Sequence, residues 1–594
     1  DLNLSGEGNR ILLHITGQVA GLGEKGEEVH VALPEINVNG YGVDIADLAG
    51  TFTTLSPQAK TIITNLGAIS MAGSLDGTPS AATFTGTVST EPGTVDLDIA
   101  YNRPATSAAI GLSGTVLSEN VALGTLLGNG DLGDVGADIA FDATITHGRP
   151  EGTAEGTVSH FEYKGYRYSD IAADVALKEK TVSGDLSIND ENLRLKVNGE
   201  ANIDRDAPRA NLFVEFADIS PANLNLWKKY PHHRLSGSIL ANWEGNGIDT
   251  GNGSVSLDDI SFTAPDEKGI TLDNLSLEAV NTDSLQYINL KSDFIEGAIA
   301  GSYNFAHVVP AAREILSASF PVFFGGKPIE CDNHGLKRHN DFSYNFTIKE
   351  DNELVEFFNS PVRLVYPITV TGIFSDEDRR MALNIDAPYL QQKDKLIENS
   401  ALRLDADGNG RGCTLDLTTT MPTKKGAATV TFKERGNDDR LDTDIAWNVA
   451  RERRFLGNVS LSTLIGRNGT EEGGYTADIA VNKSELVFND TVWTVNPATI
   501  DIDIAGKRVA VNHIDVRRDN QYIIIDGTVS EQPEDELCLQ LLNVNLDYVF
   551  ETLGIDNVMF GGDATGKFYA SGLFSKGPRL VTPGLHVDGL KYNY

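Results

Sequence analysis

The sequence predicts an all-β protein: a long antiparallel sheet, curled along its length, with a few short helices. Three observations carry this. First, a short phrase of glycine, polar, apolar and polar residues returns along nearly the whole chain. It reads GTVS at Gly86–Ser89, Gly156–Ser159 and Gly527–Ser530, with variants starting at Gly114, Gly184, Gly199, Gly237, Gly253, Gly372 and Gly572. Such repetition means one supersecondary rule used many times. Second, apolar and polar residues alternate with period two. Third, the helical period is scarce.

The alternation supplies the strands. Ile500, Ile502 and Ile504 alternate with Asp501 and Asp503; Leu193, Leu195 and Val197 with Arg194 and Lys196; Val95, Leu97 and Ile99 with Asp96 and Asp98. Leu212/Val214/Phe216, Val509/Val511 and Ile523/Ile525 extend the set. One apolar and one wet face is the pattern of antiparallel strands, not of parallel strands buried on both sides. Asn39-Gly40, Asp76-Gly77, Asp407-Gly408 and Gly457-Asn458 read as turns between strands. The first repeat glycines lie 28, 42 and 28 residues apart (Gly86, Gly114, Gly156, Gly184), and later spacings drift. A meander therefore fits better than a solenoid of fixed rungs.

Helices are expected at few places. Val355 to Phe358 follow an acidic start and stop before Pro361. Ala311–Leu316 follow Pro310. A strand, short helix, glycine-strand unit recurs at Leu123–Leu127, Ile219–Trp227 and Leu546–Leu553. No linker separates independent domains. The expectation is one continuous body over 1–594, with sub-segments 1–210, 211–350 and 351–594. Both ends begin and stop within the pattern, as in a piece of something longer.

Net charge is −36, from 84 acidic and 48 basic residues. That argues against nucleic acid as a partner, which needs a basic footprint. Cys331, Cys413 and Cys538 are too few and scattered for a disulfide framework or a zinc site. No cofactor or metal site is indicated. GxGxxG at Gly21/Gly23/Gly26 and at Gly128/Gly130/Gly133 precedes strand-like sequence and reads as turn. Asp405-Ala406-Asp407-Gly408-Asn409-Gly410 has the first half of a calcium loop, but its twelfth position is Asp416 and strands flank it, so a polar hairpin is expected. His232-His233, and Cys331 with His334, lack partner pairs and read as turn or wet surface. The four tryptophans are too scattered for a ligand cage. No catalytic constellation emerges, so an enzyme is not expected.

What remains is the apolar face itself. Curled, the sheet would hold it inside a trough. Candidate lining residues are Leu193, Leu195, Val197, Leu212, Val214, Phe216, Ile500, Ile502, Ile504, Val509, Val511, Ile523 and Ile525.

The stretch from Ser484 through Val516 to Gly527 resembles the body of the TamB family, in the AsmA-like group. So do Leu354–Gly372 (LVEFFNSPVRLVYPITVTG), Val121–Gly136 and Leu546–Gly572. The resemblance covers essentially the whole chain and rests on hydrophobic patterns. It implies a U-shaped sheet called a β-taco with an apolar groove, in the periplasm of a Gram-negative envelope. It implies phospholipid moving along that groove between the inner and outer membranes. Family members are similar in having an inner-membrane anchor at the N-terminus and a C-terminal module docking an outer-membrane barrel of TamA type; both would lie beyond this chain. The alternative the family suggests is a chaperone-like scaffold for outer-membrane β-barrel proteins. A closed, dry adhesin or solenoid is a third, purely structural expectation.

A groove has a physical use here. The roughly 30 methylenes of a two-chain lipid make bare transfer through water cost on the order of 24 kcal/mol, at about 0.8 kcal/mol each. An apolar track removes most of that barrier and needs no nucleotide or metal.

Overall fold

The computed structural model describes residues 2–593, except 8–11, 22–27, 53–55, 104–107, 205–207, 284, 330–337, 351–352, 359, 424–425, 469–473, 547–558 and 576. The fold is all-β, 68% strand and 9% helix, with 36 antiparallel strands and a few short helices. Contacts divide it into two units, Asp1–Asn281 and Thr282–Tyr594.

The first unit is a simple meander. Sixteen strands, from Leu2–Glu7 to Ile270–Asn281, each pair with the strand before and the strand after. Two helices, α1 (Gly42–Phe52) and α2 (Pro57–Asn65), interrupt it after the third strand. Ser56 caps α2, its Oγ accepting the Ala59 N–H at 3.1 Å, and Pro57 takes the first helical position. The expected helix at Leu123–Leu127 forms as α3 and stops at Gly128 in the left-handed region, φ 67°. The segment after Ile219 is a series of turns rather than a helix. Its Pro221 carbonyl accepts the N–H groups of both Leu226 and Trp227. Leu546–Leu553 lies mostly outside the described residues.

The second unit has twenty strands, from Gln286–Ser292 to Arg579–Asn593. Besides Arg363–Leu364 and Ile368–Ser375, which face the two ends of Arg380–Gln392, two of its meander lines are broken in place. Tyr475–Val481 and Ser484–Phe488 lie opposite the two halves of Phe455–Arg467. Thr491–Val495 and Ala498–Asp503 face the two halves of Arg508–Arg518. Asn496-Pro497 sits at the second break, where proline lacks the ladder donor. Helix α4 (Phe305–Ser319) begins six residues earlier than expected and carries Pro310 inside it. Helix α5 (Glu353–Phe357) forms where its acidic start and Pro361 place it.

Two expected turns are strand interiors instead. Asn39-Gly40 lies within His30–Tyr41, and Gly457-Asn458 within Phe455–Arg467. Gly457 faces the Trp447 ring, and a Cβ there would come within 2.3 Å of it. The glycine makes room for an indole rather than a reversal.

The total accessible surface is 34317 Å². A compact protein of this mass would expose about 20,000 Å², and two separate compact halves about 24,500 Å². Many described apolar residues of the sheet are accordingly only half-buried.

Candidate functional site

The repeated glycines build the site first. Most of them lie within strands and face the apolar side; Gly572 lies just past the end of its strand. Gly184 and Gly199 sit opposite each other with φ 140° and 136°. A Cβ at Gly199 would stand 2.1 Å from the Asn211 carbonyl oxygen, and one at Gly184 2.0 Å from that of Asp174. Glycines inside a strand mark close backbone approach and bends. The repeated glycine phrase marks the crease of the sheet.

Along the crease, register aligns apolar residues strand after strand. One row reads Leu4, Ile15, Ile36, Gly73, Gly86, Leu97, Val116, Ile139, Gly156, Ala173, Leu186, Val197, Val214, Ile239, Leu257 and Leu275, each directly opposite the next. Sixteen strands contribute and no polar side chain interrupts. A parallel row from Leu33 to Leu277 is equally free of polar side chains, and one from Val19 to Ala279 carries only the polar tips of Tyr101 and Trp243. At the usual strand spacing the first row is about 72 Å long. From Leu97 to Val214 every member is half-buried, neither sealed nor fully wet. The other side of the same strands carries Asp98, Asp138, Glu155, Asp174, Asp185 and Lys196, all exposed.

Six of the expected lining residues fall on this face. Leu195 stands opposite Phe216, Val197 opposite Val214, and Leu212 opposite Gly199; Leu193 shares their side of its strand. The other seven belong to the second unit. Ile500 pairs with Val511, Ile502 with Val509, and Ile523 and Ile525 with Val516 and Ile514. Ile504 stands apart, 58% exposed in the turn after Ala498–Asp503, beyond the last ladder pair. Ile523 packs against a closed cluster of Trp493, Leu541, Val544 and Ala564.

In the second unit a row runs from Leu290 through Gly297, Phe346, Val370, Ile385, Leu402, Leu417 and Phe432 to Ile445. The next row is broken by Glu434 opposite Thr443. Thr443 Oγ1 donates to Glu434 Oε2 at 2.7 Å, while Oε1 is buried with no hydrogen-bond partner. Burial pushes this carboxyl above the usual range. Helix α4 packs over the strands from Arg380–Gln392 to Gly426–Asn437. Its start is fixed by Asn304 N–H donating to Asn340 Oδ1 (2.7 Å), and Asn340 Nδ2 to Asp376 Oδ2 (3.0 Å). His307 and His339 Nδ1 stand 3.6 and 3.3 Å from the same carboxylate.

On one rim of the first unit, the loop Ser220–His233 forms a strap along the strand ends. Ser220 N–H donates to the Asn192 carbonyl (3.0 Å), Asn223 Nδ2 to Asn192 Oδ1 (2.8 Å), and Asn225 Nδ2 to the Lys164 carbonyl (3.3 Å). Asp190 is the node beneath. Burial raises its pKa, but hydrogen bonds from Tyr166, Asn192 and Ser169 outweigh that and hold it below the usual range. Burial, with that bond to Asp190, pushes the Tyr166 phenol up to about 12. Here His233, expected in a turn or on a wet surface, is 2% exposed. Its Nε2 lies 2.7 Å from the Lys268 carbonyl and its ring against Tyr230 and Phe262, so His233 is packing, while His232 is exposed in a turn as expected.

The stretch from Asp405 is the expected hairpin turn. Asp405 is paired outward with Arg380 at 2.9 Å, and Asp407 Oδ1 accepts the Asn409 N–H at 2.8 Å. Among the described residues no group of three His, Cys, Asp or Glu is arranged to hold a metal. Cys331 and His334 lie outside them. No described helix is long and apolar enough to cross a membrane.

Comparison with protein-family models, curated proteins and solved structures gives no match. Sequence reasoning missed the strap and Glu434. The run Trp227-Lys228-Lys229-Tyr230, with no acid between Ser220 and Arg234, was the signal for the first. Nothing short of cross-strand register marks the second.

Proposed function

We propose that the chain is a conduit for two-chain amphiphiles, phospholipids above all, which move with their hydrocarbon along the apolar face. The supporting observation is the unbroken sixteen-strand row of apolar and glycine residues that no layer covers between Leu97 and Val214. A sandwich core of this size would be closed; this face is half-wet. The cost of moving acyl chains through water gives such a row its use. With the likeness to the TamB family, the reading extends to a periplasmic bridge between inner and outer membranes.

Val197 and Lys196 are neighbours on opposite sides of one strand, which makes the test internal. A photo-crosslinking residue at position 197 is expected to capture phospholipid in cells, and the same residue at 196 is not. Equal lipid capture at both positions, or polypeptide adducts at 197 with no lipid, would reject the conduit. The second result would favour the scaffold for barrel proteins.

A further inference from the structure

We infer that the strap Ser220–His233 is a headgroup station, where Lys228 and Lys229 hold the phosphate of an amphiphile whose hydrocarbon lies on the adjoining apolar face. This rests on the conduit reading and adds a ligand class to it.

The strap is anchored at one end and loaded at the other. Leu224 is 2% exposed and fixes it to the rim. Beyond it the chain turns outward: Leu226 and Trp227 are 54% and 47% exposed. The Trp227 ring stacks on Phe262 (5.8 Å, 11° between planes), and Phe262 belongs to the apolar side through its pairing with Leu235. The indole thus bridges apolar face and water, the position tryptophan takes at lipid interfaces.

Lys228 and Lys229 follow directly. Both are exposed, and neither has a carboxylate partner among the described residues, in a chain with 84 acids. Lys229 Nζ lies 5.1 Å from the centre of the Tyr230 ring. Glu267 faces His233 at 3.5 Å, and Asp218 pairs with Arg194. The remote acidity of the chain acts weakly beyond a Debye length of about 8 Å. Two ammonium groups without a carboxylate partner, beside an exposed indole and above hydrocarbon, suit a phosphodiester carrying acyl chains. They do not suit a neutral lipid.

The test uses the full chain and three soluble probes: dihexanoylphosphatidylglycerol below its micelle concentration, dihexanoylglycerol without phosphate, and inorganic phosphate. Replacing both lysines (Lys228→Gln with Lys229→Gln) is expected to weaken the phospholipid about thirtyfold, roughly fivefold per lysine facing a phosphate, and to leave dihexanoylglycerol unchanged. Leu257→Asp, on the apolar row, should weaken both amphiphiles alike. Unchanged phospholipid affinity in the double variant would overturn the station while leaving the conduit standing. Unchanged affinities in Leu257→Asp would overturn the conduit. Inorganic phosphate competing as strongly as the phospholipid would overturn the station in favour of a free-phosphate site.

Discussion

The strands between Thr94 and Ile219 and those between Arg380 and Asn437 obey one grammar, yet one stretch is open and the other covered. In the first, the central row from Leu97 to Val214 stays half-buried, while Ile171 and Leu193, nearer the strand ends, are 9% exposed. In the second, Ala406 is 0% and Ala428 6% exposed, although Leu417 in its central row remains 38% exposed. The difference does not lie in the strands. It comes from the 38 residues 303–340, inserted between two neighbouring strands, which bring α4 and the turn Pro321–Phe324 over the sheet. Glu314 reaches Arg379 at 3.3 Å, and Asp439 Oδ1 accepts the Val322 N–H at 2.9 Å, so the cover is fastened at successive hairpin ends. Over these strands the apolar face is closed where a long segment between neighbouring strands reaches across it.

The sharpest way to break this comparison is to place the same charge in both stretches. Ala406→Asp puts a carboxylate where no water reaches, and about 3 to 5 kcal/mol of local stability should be lost. Val197→Asp faces a half-wet surface and should cost only about 1 kcal/mol, because its carboxylate keeps water. Hydrogen exchange of strands Lys395–Asp407 and Leu193–Asn202 measures each locally. Equal losses at the two positions would show that the first stretch is as sealed as the second.

A smaller effect probes what the regions share. Gly199→Val and Gly527→Val each bring a side chain against a neighbouring strand, the Cβ standing 2.1 Å from Asn211 O or from Glu536 O, at φ 136° and 122°. Each should cost about 2 to 3 kcal/mol. Gly130→Val, with nothing within 4 Å of its Cβ, should change stability by less than about 0.5 kcal/mol. If Gly199→Val and Gly130→Val unfold at the same denaturant concentration, the crease is not a structural necessity.

These cases also show what a sequence discloses in such a fold. Strand faces were legible because side-chain direction has period two: Leu195, Val197, Val214 and Phe216 fall together from alternation alone. The glycine phrase was legible as a rule, but not as a crease, since glycine serves turns and close approaches alike. That ambiguity misplaced turns at Gly40 and Gly457. Ile504 continued the alternation past the point where its strand turns, and alternation cannot count ladder pairs. Coverage was not legible at all. Whether Ala406 is sealed depends on a helix some ninety residues away in sequence, whose start at Phe305 the rule for proline at helix ends placed too late.

The smallest expected effect concerns the one carboxylate in the covered stretch's inner rows. Glu434 replaces an apolar residue in its row, and burial raises its folded-state pKa above the ordinary 4.5. A raised value means the fold prefers the protonated form. The group's contribution to stability is therefore full below pH 4.5 and is lost as pH rises through the raised folded value. Other carboxylates act the opposite way, among them Asp190 and Asp490, whose hydrogen bonds hold them low. The slope from Glu434 must therefore be read as a difference. Urea unfolding of the chain and of Glu434→Gln between pH 4.5 and 7 should show the variant gaining relative stability as pH rises, since its amide has no proton to lose. A constant difference across that range would mean that water reaches Oε1, and that α4 covers less of this row than its packing implies.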